Sequence, residues 1–477
     1  VYKRQALATA IAVLDTVKAS GEVSDEDFGR VVGRISFFVN AGLRFVTEIC
    51  KMRAFVDLWD EICENRYGVE DPAMRRFRYG VQVNSLGLTE QQPENNVPRI
   101  LIEMLAVTLS KKARARAVQL PAWNEALGLP RPWDQQWSLR TQQILAHETD
   151  LLEFGDLFDG NPAIAAKTEE LKEAARAELT QIEAMGGAMG AIAHMKARLV
   201  ASNAERLARI ESGETTVVGV NRWTEGEESP LAQPGAIMAA DPEAEQNQIV
   251  ALNDWRERRD PEAADAAIEA LRRAAASGIN IMPPSIAAAR AGVTTGEWGE
   301  AIRTTLGSYR APTGIGDRPS NQTEGLEALR GRVDAISDRL GRRLRLLVGK
   351  PGLDGHSNGA EQIALRAQAC GMDIDYQGIR LTPSEIAEAA RDGGAHLIGL
   401  SILSGSHIAL VKDTLERLRA DGNGHIPVIV GGIIPPEDAE TLRAMGVARI
   451  YSPRDFQINT ILDEMLDIFE NAAIAAE

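Results

Sequence analysis

Along the first 150 residues, short continuous apolar runs alternate with segments whose apolar residues recur at helical spacing. This alternation predicts strand–helix units. Short apolar runs predict strands at 33–39, 77–83 and 115–120. Apolar residues spaced along one helical face predict helices at 6–19, 43–66, 97–109 and 136–147. Strands separated by helices in this way pair in parallel. Because three units do not close an eight-stranded barrel, we expect a small open sheet or part of a (β/α)8 TIM barrel.

The same alternation returns from about Arg342 and continues to the end of the chain. It predicts strands at 344–349, 373–377, 396–401, 427–431 and 449–451. Helices fill the intervals, and the last is expected from Phe456 to Asn471. Five strands in this rhythm are typical of a flavodoxin-like parallel sheet.

The middle of the chain has helical patterns and little sign of strands. Helices are predicted at 164–185, 241–258 and 261–277. Polar stretches containing proline and glycine predict an exposed loop at 225–235 and a linker at 310–320. The pattern therefore divides the chain into a barrel part (1–195), a helical linker region (196–340) and a second α/β domain (341–477).

Composition and charge narrow the classes of protein that fit. The chain has 477 residues and a net charge of −16, which disfavours nucleic acid and anionic membranes as partners. Its three cysteines are too few for a disulfide framework or a cysteine metal cluster and are typical of a reducing cytosol. No apolar run approaches the ~18 residues of a membrane span. We expect a cytoplasmic protein, and the first residue, Val1, suggests a fragment that begins inside a larger protein.

A glycine-rich loop with one histidine follows the first strand of the second α/β domain. It places Asp354, His356 and Gly359 at the spacing D-x-H-x-x-G. A metal-binding imidazole commonly donates from its other ring nitrogen to a carboxylate, a role that Asp354 could take, with Lys350 extending the relay. The alternative is a loop histidine without a ligand, which is the commoner state of an isolated histidine. The other histidines of this domain have no acidic partner at a useful spacing and are expected to be structural or solvated: His396, His407 and His425.

Two further motifs follow at predicted strand ends, Ser401-Ile-Leu403 and then Gly431-Gly432. D-x-H-x-x-G, S-x-L and G-G in this order resemble the pattern of cobalamin-binding domains. The resemblance implies that His356 is the lower ligand of cobalt. It implies a relay behind this histidine made of Asp354 and Lys350, which we assign as catalytic together with His356. It implies that the cofactor is also contacted by Gly355, Gly359, Ser401, Leu403, Gly431 and Gly432.

Residues 33–225 resemble the rear of the barrel of the cobalamin-dependent acyl-CoA mutases. The matching stretches are RISFF (34–38), LTEQQPENNVPR (88–99), AWNEAL (122–127), RTQQ (140–143), MGG (185–187) and VVGVN (217–221). The resemblance implies that Arg34 and Ser36 contact the coenzyme A ester of the substrate. It implies that Glu103 lies near the adenosyl part of the cofactor. For Arg34 the alternative is a solvated charge at a strand end.

Within this family, residues 119–133 and 353–363 resemble the ethylmalonyl-CoA mutase subfamily more than methylmalonyl-CoA mutase. The resemblance implies an adenosylcobalamin-dependent rearrangement of ethylmalonyl-CoA to methylsuccinyl-CoA. It also implies a homodimer in the full-length protein and a G-protein chaperone as a partner. The catalytic tyrosine and histidine of the family find no match in the chain and are expected in the front part of the barrel.

Several other functions remain open from the sequence. The nearest is a methylmalonyl-CoA or isobutyryl-CoA mutase. A second is a corrinoid carrier for methyl transfer, although carriers place a helical bundle before the histidine loop and this chain alternates strand and helix at 33–150. A third is a cobalamin sensor or storage module, or a cobalamin-binding fragment without catalysis.

Overall fold

The computed structural model describes residues 2–227, 229–232, 237–238, 241, 243–310, 312–313, 315 and 326–476. Its strands are β1 (Phe37–Ala41), β2 (Tyr79–Val83), β3 (Ala117–Gln119), β4 (Arg345–Pro351), β5 (Asp373–Leu381), β6 (Leu397–Ile402), β7 (Val428–Gly432) and β8 (Arg449–Tyr451). Residues 1–238 and 312–477 form one compact unit, and residues 239–311 form another. Residues 228 and 233–235 of the predicted loop, and residues 311, 314 and 316–320 of the predicted linker, lie outside the described residues. The domain boundaries at 195 and 340 stay a prediction.

The helices of the first unit are α1 (Tyr2–Ser20), α2 (Asp25–Val32), α3 (Phe45–Asn65), α4 (Asn96–Thr108), α5 (Pro132–His147), α6 (Pro162–Ala184), α7 (Gly187–Gly190), α8 (Ile192–Glu211), α13 (Glu327–Leu340), α14 (Asn358–Ala369), α15 (Pro383–Gly393), α16 (His407–Ala420), α17 (Pro436–Met445) and α18 (Ile458–Ala476). Those of the second unit are α9 (Ala244–Arg258), α10 (Pro261–Ala276), α11 (Met282–Arg290) and α12 (Thr295–Leu306). Among the described residues, no helix has the length and apolar character that a membrane crossing requires.

The first sheet has the order β1-β2-β3 and is parallel throughout, as predicted. Its apolar residues are buried against α3, where Trp59 is fully buried and packs edge-on against Phe37. The predicted start of the first strand at residue 33 is wrong. The amide of Gly33 donates to the Gly29 carbonyl and that of Arg34 to the Val31 carbonyl, so both residues lie in the turn that follows the end of α2 at Val32.

The second sheet has the order β5-β4-β6-β7-β8, which is the flavodoxin-like order expected from the sequence. The central strand β4 is buried on both faces from Leu346 to Pro351. Between β4 and β5 the pairing shifts register twice, at Val348/Gly349 and at Gly349/Pro351. Because β4, β6 and β7 are parallel neighbours in this order, their carboxyl ends lie side by side, and the three motifs follow those ends.

Helix α8 joins the two sheets of the first unit. Its Lys196 forms an ion pair with Glu361 of α14 at 2.5 Å, and Glu361 is buried. The Gln362 amide donates to the Val200 carbonyl at 3.1 Å. Arg206 of α8 donates to the Leu86 carbonyl, in the loop after β2, at 3.2 Å. Because α14 begins two residues after His356, α8 links the histidine loop to the first sheet.

The second unit is helical, as the pattern predicted for 241–258 and 261–277. Arg259 pairs with both oxygens of Glu297 at 2.6 and 2.7 Å. Glu297 also completes a capping box with Thr294 at the start of α12. This ion pair joins the end of α9 to the first turn of α12 and helps to hold the second unit together.

Candidate functional site

The histidine loop spans the gap between the end of β4 and the start of α14. The ring of His356 is 78% exposed, and its Nδ1 lies 2.7 Å from Oδ1 of Asp354. The same oxygen accepts the His356 backbone amide at 3.0 Å. With Nδ1 engaged, Nε2 is the nitrogen presented to a ligand above the loop. This is the arrangement that the D-x-H-x-x-G spacing predicted.

Asp354 connects the exposed ring to the buried interior. Its Oδ2 accepts from Lys350 Nζ at 3.2 Å and from the Leu403 amide at 3.3 Å. Burial by itself would raise the pKa of Asp354, but hydrogen bonds from His356 and the charge of Lys350 outweigh it and hold that pKa at about 2. The carboxylate is therefore ionised at any ordinary pH and holds the ring in one orientation.

Lys350 is fully buried and links the first motif to the second. Its Nζ donates to the Ser401 carbonyl at 2.8 Å and lies 3.3 Å from the Ser401 hydroxyl. Burial lowers the pKa of Lys350, and the neighbouring Asp354 opposes that shift. The relay from His356 through Asp354 to Lys350 and Ser401 is thus continuous.

The glycines of the motifs have different structural roles. A side-chain carbon added to Gly359 or Gly431 would meet nothing within 4 Å, so the space above both residues is open. At Gly432 the same atom would lie 1.8 Å from the Ile402 carbonyl oxygen. Gly432 is therefore explained by the close approach of β7 to β6, whereas Gly431 leaves room for a ligand. At Gly355 the nearest atom is an Arg380 guanidinium nitrogen at 3.7 Å.

One buried histidine has a partner that the sequence analysis missed. Nε2 of His407 lies 2.8 Å from Oδ2 of Asp438, and Nδ1 lies 3.2 Å from the Ser404 carbonyl. The prediction that His407 has no acidic partner is wrong, because the partner follows the neighbouring strand. The pair joins the first turns of α16 and α17 and holds the loop after Leu403. His396 accepts the Arg345 amide through Nδ1, a structural role as expected.

On the first sheet, Glu103 lies buried in α4 beneath the loop that follows β2. One turn earlier, Arg99 donates to the Thr89 hydroxyl at 2.7 Å and to the Val218 carbonyl at 2.7 Å. Burial lowers the pKa of Arg99, and the charge of Glu103 opposes that effect. These contacts hold two of the matched stretches, 88–99 and 217–221, against one helix.

The loops after β2 and β3 face the histidine loop. Burial raises the pKa of Glu125, while a hydrogen bond with Ser85 and the proximity of the His356 ring oppose that rise. Glu90 pairs with Arg454, after β8, at 2.6 Å. The carboxyl ends of the two parallel sheets are thus directed at each other, with His356 between them. Sequence reasoning did not single out Glu125, although it lies in the matched stretch 122–127.

Arg34 and Ser36 are exposed and lie immediately before β1, at the amino end of the first sheet. The Ser36 hydroxyl donates to the Arg78 carbonyl at 3.4 Å. The structure therefore does not bring these two residues to His356. They lie at the opposite end of the strands from the loops after β2 and β3.

Comparison with protein families matches residues 5–308 to methylmalonyl-CoA mutase and residues 344–454 to the B12 binding domain. The chain is 67% identical to ethylmalonyl-CoA mutase of Cereibacter sphaeroides over 473 residues, covering 99% of this chain and 72% of that protein. It is 59% identical to ethylmalonyl-CoA mutase of Methylorubrum extorquens, covering 98% and 68%. It is 33% identical to methylmalonyl-CoA mutase of Cereibacter sphaeroides, covering 92% and 62%. A solved cobalamin-binding protein from Desulfitobacterium hafniense aligns with 46% of this chain and 92% of its own, at 19% identity and a TM-score of 0.23, too low to carry an argument.

Proposed function

The chain belongs to the methylmalonyl-CoA mutase family and is a cobalamin-dependent acyl-CoA mutase, and from that premise we propose that it rearranges ethylmalonyl-CoA to methylsuccinyl-CoA with adenosylcobalamin. The observation that carries the choice of substrate is the identity to the ethylmalonyl-CoA mutase of Cereibacter sphaeroides, about twice the identity to the methylmalonyl-CoA mutase of the same organism. The parallel sheet before the histidine loop favours this function over a corrinoid carrier, which would have a helical bundle there.

The residues at the carboxyl end of β4 fit a corrin-bound cobalt. We propose that His356 coordinates the metal through Nε2, and that Asp354 and Lys350 hold the ring in place. A single protein nitrogen is sufficient for a cobalt ion whose other ligands belong to the cofactor itself. Gly355 and Gly359 let a large planar ligand approach the backbone of the loop.

The tail of the cofactor is assigned to the side of β4 that faces β6 and β7. We propose that Ser401, Leu403, Gly431 and Gly432 line its pocket, with Gly431 leaving the open space and Gly432 permitting the strands to approach. The relay from Lys350 to Ser401 supports this assignment, because it couples the tail pocket to the cobalt ligand.

Adenosylcobalamin supplies, when bound, the carbon-centred radical that no side chain can generate. The chain contributes binding, orientation and exclusion of water. We propose that Glu103 contacts the adenosyl part, which fits its buried position beneath the loop after β2. We propose that Arg34 and Ser36 bind the coenzyme A moiety, since an arginine fork suits a phosphate. Because Arg34 and Ser36 lie at the amino end of the first sheet, the bound acyl-CoA would extend along the strands to bring its acyl group to their carboxyl ends.

The proposal also includes a homodimer of the full-length protein, a G-protein chaperone as partner and a cytoplasmic location. Each follows from the resemblance to the mutases.

The test is turnover by the purified protein reconstituted with adenosylcobalamin. Ethylmalonyl-CoA, methylmalonyl-CoA and isobutyryl-CoA are supplied separately, and the products are identified by mass spectrometry and NMR. We expect methylsuccinyl-CoA to form with the highest kcat/KM. Faster conversion of methylmalonyl-CoA to succinyl-CoA would overturn the assignment of the substrate. Binding of cobalamin without turnover of any ester would favour a cofactor-binding role alone.

A further inference from the structure

Arg380, near the end of β5, has a backbone conformation that arginine rarely adopts. Its φ is 61°, in the left-handed region. Such a conformation is unfavourable for a residue with a side chain, and strained residues of this kind cluster at ligand sites. Gly378, two residues earlier, also has a positive φ, of 93°, but at no such cost because it has no side chain.

Arg380 lies where the pairing of β4 and β5 is irregular. The two register shifts between these strands form an irregularity directly beside the start of the histidine loop. The Gly352 amide then donates to the Leu381 carbonyl at 2.9 Å, which ties the loop to the end of β5. Irregularities of this kind redirect a side chain that regular pairing would point elsewhere.

The Arg380 side chain is directed at the histidine loop. Its Nη2 lies 3.7 Å from where a side-chain carbon of Gly355 would be, one residue before His356. The residue is exposed, and within the described part of the chain its guanidinium forms no ion pair. Folding alone therefore does not account for a strained arginine at this position.

We propose that Arg380 is a cofactor-binding residue that donates hydrogen bonds to carbonyl oxygens of the amide side chains on the corrin ring. This inference rests on the proposed role of His356 as the cobalt ligand. A ligand centred on His356 would extend over Gly355 and bring its rim to the guanidinium. The fork of five N–H donors suits amide carbonyls, which cobalamin carries around its ring.

The sheet order separates this contact from the tail of the cofactor. β5 lies on one side of β4, whereas β6 and β7, which carry Ser401 and Gly431, lie on the other. A cobalamin seated on His356 would therefore meet Arg380 with the amides of its corrin ring and meet the tail pocket with the phosphate of its nucleotide tail. The oxygens of the ring amides and those of the tail phosphate are the two possible hydrogen-bond acceptors for Arg380. They can be distinguished with cobinamide, which has the ring amides and lacks the nucleotide tail.

The test compares Arg380→Gly with Arg380→Lys and with Arg391→Ala, an exposed arginine on α15, as the matched control. We expect Arg380→Gly to raise the Kd of both cobalamin and cobinamide about tenfold, since a charged hydrogen-bond donor is lost. The same variant should melt at a higher temperature without cofactor, because glycine relieves the unfavourable φ. Arg380→Lys should bind with intermediate affinity, and Arg391→Ala should bind both ligands like the parent.

Wild-type Kd values for Arg380→Gly with both ligands would overturn the proposal. Weaker binding of cobalamin with unchanged binding of cobinamide would overturn the assignment to the ring amides and point to the tail phosphate. Failure of the proposed function is a different result, in which the parent protein binds no cobalamin or His356→Ala leaves its spectrum unchanged. The spectrum of saturated Arg380→Gly should keep the signature of histidine ligation.

Discussion

Nδ1 of His356 and Oδ1 of Asp354 lie 2.7 Å apart, although the imidazole is 78% exposed and the carboxylate is 7% exposed. An exposed ring is thus held by a buried acceptor. The ring can meet a large ligand without losing its orientation, because the group that orients it is fixed inside the protein by Lys350 and the Leu403 amide.

Replacing His356 by alanine should remove the proposed protein ligand of cobalt. We expect the absorption spectrum of bound cobalamin to lose its histidine-ligated form and the Kd to rise at least tenfold. His425→Ala is the matched control, since His425 is also exposed in this domain and lies in a distant loop. An unchanged spectrum for His356→Ala would remove the assignment of the ligand.

Asp354 should make the stability depend on pH in the acid range. Its pKa in the folded state, about 2, is below the ~3.9 of an unfolded aspartate. The stabilisation is therefore complete above about pH 4 and is lost as the pH falls towards 2. In urea unfolding experiments between pH 5 and pH 2, Asp354→Asn should show a shallower loss of stability than the parent.

At neutral pH the same substitution should be strongly destabilising. It leaves the buried ammonium of Lys350 without its counter-charge, which costs about 3–5 kcal/mol. The double variant Asp354→Asn with Lys350→Met should be more stable than the single variant. If the two substitutions were simply additive in free energy of unfolding, the relay would not be a coupled unit.

The two glycines of the G-G motif should respond differently to a methyl group. Gly431→Ala should keep the melting temperature of the apo-protein, because nothing lies within 4 Å of the added carbon, and should weaken cobalamin binding. Gly432→Ala should destabilise the protein, because its methyl group would overlap the Ile402 carbonyl. Thermal melts and cobalamin titrations measure both effects. Cobinamide affinity should be unaffected by Gly431→Ala, and a parallel loss would show that Gly431 does not line the tail pocket.

His407 and Asp438 should be coupled in stability and not in cobalt ligation. His407→Ala should lower the free energy of unfolding by about 1–3 kcal/mol, because a buried hydrogen-bonded pair is broken. A double-mutant cycle with Asp438→Asn measures the coupling. The histidine-ligated cobalamin spectrum should stay the same in both variants. A coupling energy near zero would mean that the 2.8 Å contact contributes nothing to stability.

Arg34→Ala should affect the substrate and leave the cofactor unaffected. We expect the KM for the acyl-CoA to rise about tenfold with little change in kcat, because the proposed contact to coenzyme A would be made equally in the ground and transition states. Arg30→Ala, on the exposed face of the preceding helix, is the control. A wild-type KM for Arg34→Ala would favour the alternative of a solvated charge.

The local parts of the site were predictable from the sequence. The contact of Asp354 with His356 spans two residues and that of Lys350 with Asp354 spans four, so spacing alone indicates both. The five strands of the second sheet were placed close to their observed bounds, because buried strands are continuous apolar runs between turns. The first strand of the first sheet was predicted to begin too early. Apolar residues recur from Val31 to Val39 across the end of α2, so the pattern does not reveal the turn at Gly33.

By itself, the amino-acid sequence determined the periodic elements, the order of the three motifs and the residues that could orient a metal-binding imidazole. Only the tertiary structure decided that His407 meets Asp438, that Gly431 faces open space while Gly432 faces a carbonyl, and that Arg380 is strained towards the histidine loop. These features depend on how neighbouring strands pair and how closely they approach. A pairing between distant segments is not encoded in the spacing of either segment.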